Sequence, residues 1–145
     1  MEVKIKKLRE GAKIPAYGTQ FSAGADLYAC LEEAVSLAPG QSMMIPTGIA
    51  CELPAGTVGL VYARSGMACK QGLAPANKVG VIDCDYRGEI TVCLYNHSGE
   101  TRTVESGERI AQLVIAPYYT AEFSLSDELS ETVRGAGGFG STGRK

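Results

Sequence analysis

Turn-forming residues recur at short intervals along this chain of 145 residues and divide it into short apolar runs. Glycine, proline or serine pairs mark turns at 39–40, 54–56, 98–99 and 106–107. Regular spacing of this kind suits short strands joined by tight turns. The pattern therefore predicts one all-β domain of the sandwich or jelly-roll type, without internal repeats.

Four apolar runs carry the strand signal, at residues 43–51, 58–62, 90–95 and 110–115. Pro46 in the first run marks an edge or a bulge. In the third run Ile90, Val92 and Leu94 alternate with other residues, so they share one face. The fourth run is nearly continuous, which predicts burial on both faces apart from Gln112. A buried amide requires partners, and Gln112 could be a structural tie or a ligand contact.

Residues 65–71 carry the one helical signal that we find. Ser65 is a favourable N-cap residue and Gly72 stops the segment, which limits it to one or two turns. Free backbone N–H groups at such a start, beside the Arg64 guanidinium and the Ser65 hydroxyl, also suit an anion. A simple helix cap is the plainer interpretation of this segment alone.

The net charge of the chain limits the kinds of ligand that it is expected to bind. The formal net charge of −2 provides no basic surface for nucleic acid, although a single nucleotide needs only a few local cations. The basic start is not followed by an apolar run, so we expect no signal peptide, and no stretch approaches the length of a membrane span.

Five cysteines without a Cys-x-x-Cys pair argue against a disulfide framework or a zinc site and favour a reduced, cytoplasmic location. The lone His97 fits a solvated turn.

Residues 77–88 concentrate the groups that could do chemistry. Asn77 opens a turn, the apolar pair Val81 and Ile82 follows, and Asp83 and Tyr86 come next. We expect a tight hairpin that places a carboxylate beside an aromatic face, a setting for a positioned base. A solvated acidic turn is the alternative for the two aspartates alone.

The last twelve residues, 134–145, hold five glycines and one aromatic, Phe139, and cannot bury enough apolar surface to fold alone. The sequence therefore predicts a domain over 1–133 followed by an arm over 134–145. The arm is either disordered or orders over a ligand, for which Arg134, Ser141 and Thr142 offer donors and Phe139 offers a stacking ring. Its glycines match a dinucleotide fingerprint formally, but no helix can follow them.

Five segments in this order resemble the five motifs of the trimeric dUTP pyrophosphatases (dUTPases). They are AGADLY at 23–28, RSGMA at 64–68, GVIDCDYRG at 80–88, GERIAQL at 107–113 and RGAGGFGSTG at 134–143. The resemblance covers the chain from about residue 13 to residue 143. It departs from the family at Cys84, where serine or glutamate is more usual, and a thiol there could make the site sensitive to oxidation.

The resemblance implies a jelly-roll-like β barrel of the β-clip type that forms a homotrimer, with each site shared between chains. It implies hydrolysis of dUTP by water attack on the α-phosphorus, with Asp83 activating the water and Tyr86 under the deoxyribose. Asn77 and the backbone of Gly80, Val81 and Ile82 would read the uracil.

The resemblance further implies that Arg64, Ser65, Gly66 and Gln112 hold the phosphates. Mg²⁺ would bind through the triphosphate and water, with Asp26 supporting the hydrated ion. The arm would close over the site, with Phe139 on the base and Arg134, Ser141 and Thr142 on the triphosphate. Asp26 taken alone could simply cap a turn. Two rivals remain: a dCTP deaminase of the same fold, and a catalytically silent trimer that binds dUTP or a protein.

Overall fold

The computed structural model describes residues 1–138, and within them the chain forms twelve strands and one short π-helix. The strands are β1 (Lys4–Lys7), β2 (Ala16–Tyr17), β3 (Ala25–Tyr28), β4 (Val35–Leu37), β5 (Ser42–Pro46), β6 (Ile49–Glu52), β7 (Thr57–Tyr62), β8 (Leu73–Pro75), β9 (Val79–Ile82), β10 (Thr91–Asn96), β11 (Arg102–Val104) and β12 (Arg109–Pro117). The helix spans Met67–Gln71. The prediction of an all-β, jelly-roll-like protein with one short helix is confirmed.

All strand pairs in the described residues are antiparallel. The largest sheet has the order β2-β3-β12-β7-β9, and a three-stranded sheet has the order β5-β10-β8. Two strand pairs, β1-β6 and β4-β11, complete the arrangement. Most neighbours in the sheets are distant in sequence, so the fold depends on long-range pairing rather than on local hairpins. The one helix of the described residues is too short to cross a membrane.

The core consists of aliphatic side chains contributed by almost every strand. Leu27, Leu37, Ile45, Leu94 and Val104 are completely buried. Each such side chain contributes about 1.5–3 kcal/mol by leaving water. The predicted inward face of β10 is confirmed, because Ile90, just before the strand, and Val92 and Leu94 within it are at most 2% exposed.

The predicted strand over 43–51 is broken in the middle. Gly48 has φ of 72°, and a Cβ there would lie 2.8 Å from both the Ala12 Cβ and the Cys30 Sγ. This left-handed, crowded position suits glycine alone and divides the run into β5 and β6. Pro46 is the last residue of β5, which is an edge strand of its sheet, so the edge interpretation is confirmed and the bulge is not.

The continuous run near the C-terminus forms the long strand β12, at the centre of the five-stranded sheet. Ile110, Ala111 and Leu113 are buried, as predicted, but Val114 and Ile115 are only half-buried. The prediction of burial on both faces is therefore wrong for the second half. β3 pairs with β12 only as far as Leu113, whereas β7 continues to Pro117, so the far half is flanked on one side only.

Residues 76–90 leave one sheet and join another. The turn predicted at Asn77 exists: the Lys78 N–H donates to the Pro75 carbonyl (3.1 Å), and Lys78 has φ of 66°. The expected hairpin is wrong, because β8 pairs with β10 whereas β9 pairs with β7. The segment thus places Asp83 just beyond the outer strand of the five-stranded sheet.

The chain from 118 to 138 contains no strand or helix. Phe123, Leu125 and Leu129 are 96%, 100% and 89% exposed, so this stretch leaves its apolar side chains unburied within one chain.

Candidate active site

A groove of about 490 Å³ lies between the first strands of the five-stranded sheet and the start of the helix. Its polar lining includes Asp26, Arg64, Ser65, Arg109 and Gln112, and we call it the arginine groove. Four of the residues predicted to hold phosphates, Arg64, Ser65, Gly66 and Gln112, lie in it together. Asp26, the predicted metal-supporting residue, lies there as well.

Asp26 holds the two arginines of the groove. Its Oδ1 accepts from the Arg64 Nε at 2.7 Å and its Oδ2 from an Arg109 terminal nitrogen at 3.2 Å. Asp26 is 9% exposed and lies on β3, which is flanked within the sheet by β2 and β12. Both oxygens are therefore used within the protein, and the turn-cap interpretation of Asp26 does not apply, since it lies inside a strand.

Arg109 is a residue of this site that the sequence did not indicate. Arg109 and Gln112 are three positions apart, so a regular strand would point them to opposite faces. The pairing of β12 with β3 shifts register between Arg109 and Ala111, which brings both side chains into the same groove. An irregularity of this kind leaves no signal in the apolar pattern.

Gln112 makes a structural hydrogen bond and also lines the arginine groove. Its Nε2 donates to the Ala63 carbonyl at 2.9 Å, which fixes the backbone immediately before Arg64. A Cβ at Gly24 would lie 3.0 Å from the Gln112 Cδ and closer still to Oε1. Because Gly24 has no side chain, it leaves the space that the Gln112 amide occupies.

We expect Gly24→Ala to displace the Gln112 side chain and to reduce the free energy of unfolding by about 1–3 kcal/mol, through overpacking and a lost hydrogen bond. Gly18→Ala is the matched control in the same groove, because its Cβ would meet only the Ser22 Oγ at 3.7 Å. It should stay within about 0.5 kcal/mol of the parent. Denaturant titration of the three proteins at equal concentration measures the difference, and equal stabilities would contradict the packing argument.

Ser65 does not cap the helix. The helix begins at Met67, its N-cap position is Gly66, and no side chain among the described residues caps it. Ser65 is exposed and lines the arginine groove instead, beside the Arg64 guanidinium. The interpretation of Ser65 as a simple helix cap is therefore wrong.

A second, smaller cavity of about 160 Å³ lies at the end of β9, and we call it the tyrosine cleft. Its lining residues include Val81, Ile82, Asp83 and Tyr86. The Tyr86 hydroxyl donates to the Glu89 carbonyl at 3.0 Å. A Cβ at Gly88 would lie 2.5 Å from the Tyr86 Cζ and 2.9 Å from Cε2, so the hydroxyl end of the ring lies against that glycine. Asp83 is exposed in the single chain.

Two further contacts brace the tyrosine cleft. Arg9 pairs with Glu89 through two hydrogen bonds of 2.8 and 2.9 Å, which hold the pKa of that carboxyl below its usual value. The Cys84 Sγ lies 3.9 Å from the Tyr118 Oη, and this contact raises the pKa of the tyrosine. Cys84 is half-buried and does not line the tyrosine cleft. The five cysteines are all free.

The remaining predicted residues are less closely associated. Asn77 is exposed and Gly80 lies in β9, where a Cβ would be 3.5 Å from the Asn77 Nδ2. Arg134 is exposed, and its Nε donates to the nearby Gly137 carbonyl at 2.9 Å. Phe139, Ser141 and Thr142 lie outside the described residues. The arginine groove and the tyrosine cleft have no lining residue in common.

An all-β barrel with two arginines, a hydroxyl and an amide around one groove is suited to a phosphorylated ligand. A carboxylate and a tyrosine ring beside a second cleft suit the rest of such a ligand. Comparison with known proteins identifies the family to which this chain belongs. The dUTPase family model matches residues 10–143, and the chain belongs to the dUTPase family.

Relatives agree over the whole length. A deoxyuridine 5'-triphosphate nucleotidohydrolase of Desulfitobacterium hafniense is 53% identical over 99% of this chain and 97% of its own, and that of Maricaulis maris is 51% identical over the same shares. The dUTPase of Staphylococcus bacteriophage 80alpha with dUPNHPP has a similar structure, with a TM-score of 0.90 and 30% identity over 98% of both chains.

Proposed function

We propose that this chain hydrolyses dUTP to dUMP and pyrophosphate, with water attacking the α-phosphorus. Such an activity limits uracil in DNA and supplies dUMP for thymidylate synthesis. The observation that carries the proposal is the arginine groove, in which a buried carboxylate orients two guanidiniums in a chain of the dUTPase family.

The groove suits a triphosphate. Each guanidinium carries five N–H donors, and Asp26 takes one from Arg64 and one from Arg109 in the described residues. The remaining donors, the Ser65 hydroxyl and the backbone at Gly66 are available to phosphate oxygens. Asp26 is therefore a positioning residue for Arg64 and Arg109, which it holds before a substrate arrives.

The tyrosine cleft suits the nucleoside. Asp83 is the carboxylate that would accept a proton from the attacking water. The Tyr86 ring, held by the Glu89 carbonyl and by Gly88, would lie under the deoxyribose and leave no room for a 2′-hydroxyl. The backbone of β9 and the Asn77 amide would pair with the uracil edge, and fixed donors and acceptors there reject cytosine.

Mg²⁺ fits this chain as a partner of the substrate. No cluster of three acidic, histidine or cysteine side chains occurs between residues 1 and 138, and both oxygens of Asp26 already face arginines. A mutant dUTPase from phage phi11 of S. aureus, with a TM-score of 0.79 and 28% identity, is described with a structural Mg(II) ion. In this chain the ion would be held by phosphate oxygens and water, with Asp26 at its outer edge, and would neutralise phosphate charge.

The separation of the two cavities supports a shared site in a homotrimer. One chain offers the arginine groove and the tyrosine cleft without a common residue, so a neighbouring chain would bring one to the other. The exposed Phe123, Leu125 and Leu129 support the same conclusion, because apolar side chains in a row are normally covered. The stretch after 118 would cross to a neighbour, and the arm 134–145 would close there over the base and the phosphates.

Product analysis tests the activity. We expect protein with Mg²⁺ to release pyrophosphate from dUTP and no ammonia from dCTP. Ammonia from dCTP would favour the deaminase of the same fold, and nucleotide binding without either product would favour a silent trimer. An Asp26→Asn variant, which keeps the shape but loses the charge between the arginines, serves as a weakened reference.

A further inference from the structure

A second basic cavity adjoins the arginine groove. It has a volume of about 330 Å³, and Arg64, Gly66 and Arg109 line both cavities. The second cavity is therefore contiguous with the groove around the arginine pair. Its additional charged residues are Lys70, from the helix, and Glu108, which immediately precedes β12. We call this cavity the lysine pocket.

The lysine pocket has an excess of positive charge. Arg64, Lys70 and Arg109 stand against Glu108 alone in its lining, and Asp26 faces the arginines from the groove. Glu108 is also engaged in its own turn, because its Oε2 accepts from the Glu105 N–H at 3.2 Å. An anion entering the pocket would meet three cations and one carboxylate already in use.

Lys70 has the position of a ligand-binding residue. It lies in the last turn of the helix, whose Met67 is buried in the core, and the exposed Lys70 side chain lines the pocket. Within residues 1–138 the Lys70 ammonium has no ion-pair or hydrogen-bond partner. Exposed lysines are ordinary on protein surfaces, but this one borders a cavity that two substrate-oriented arginines already line.

We propose that the lysine pocket binds the far end of the phosphate chain, first as part of the bound triphosphate and then as the pyrophosphate product. Lys70 thereby distinguishes a longer phosphate chain from a single phosphate. A single phosphate held by Ser65 and Gln112 would not extend past the arginines and would not reach Lys70. The proposal rests on the function proposed above and adds a phosphate-binding residue to it.

Calorimetric titration with inorganic pyrophosphate and Mg²⁺ tests the proposal on the full-length protein. Loss of one charge-assisted hydrogen bond weakens binding by roughly tenfold, and we expect that loss for Lys70→Gln. Lys70→Arg should restore most of the affinity. Lys7→Gln is the matched control, because it removes the same charge from an exposed position on β1, outside both cavities. Glu108→Gln should tighten binding, since it removes the one negative charge of the pocket.

Titration with dUMP separates chain-length reading from a general loss of fold. Its affinity should be the same in the parent and in Lys70→Gln. Three results would each overturn the proposal. They are a pyrophosphate affinity that is equal in the parent and in Lys70→Gln, no measurable pyrophosphate binding by the parent, and an equal loss of affinity for dUMP and pyrophosphate in the variant. Turnover of dUTP by the parent is judged separately: an inactive parent whose pyrophosphate binding depends on Lys70 refutes the proposed activity alone.

Discussion

Replacing Asp83 by asparagine should lower dUTP turnover by roughly 10²–10⁴, the range expected for a lost general base. The amide keeps the size of the side chain but cannot accept the proton of the attacking water. Asp83 is exposed, and its side chain makes no hydrogen bond within the described residues, so neither folding nor binding should change much. Single-turnover kinetics and calorimetry with a non-hydrolysable dUTP analogue would separate the chemical step from binding.

Asp85→Asn provides the matched control. Asp85 is exposed two residues further along the same segment but does not line the tyrosine cleft. Its replacement should leave turnover within about threefold of the parent, because surface charges act weakly at a distance in salt solution. Near-normal turnover in Asp83→Asn together with a collapse in Asp85→Asn would move the base to Asp85.

Removing residues 134–145 should abolish most turnover while leaving thermal stability unchanged. The hydrogen bonds of residues 134–138 are local, from Arg134 to Gly137 and from Gly135 to Thr132, and none of them reaches the barrel. Turnover should fall because closure of the arm would position the phosphates and exclude loose water. Melting curves and a pyrophosphate assay check the two halves of this expectation. Full activity in the shortened protein would make the arm a disordered tail.

Mixing the two inactive proteins tests how the site is assembled. Asp83→Asn chains and chains lacking 134–145 would be unfolded and refolded together in equal amounts. If base and arm come from different chains of a cyclic trimer, about a quarter of the sites should combine an intact Asp83 with an intact arm. Light scattering would verify the trimers. Mixed trimers as inactive as the parents would show that one chain supplies both groups.

Much of the fold could be predicted from local patterns. The inward face of β10 followed from alternation, because side chains in a strand must alternate between faces whatever lies around them. The break at Gly48 could not be predicted, since the contacts that forbid a Cβ there come from Ala12 and Cys30, distant in sequence. The hairpin expected after Asn77 failed for a related reason: two strands and a turn do not reveal whether each strand pairs with the other or with a third.

The sequence by itself determined the all-β class, the residue types of the site and, through five ordered motifs, the family. Residue identity and spacing suffice for these, because strand alternation, turn chemistry and the functional groups are local properties of the chain. Only the tertiary structure decided that Asp26 lies between Arg64 and Arg109, that Arg109 shares a face with Gln112, and that Lys70 borders the same arginines. These arrangements depend on a register shift and on strands brought together from distant parts of the chain, and the energies that select them come from packing across the whole barrel.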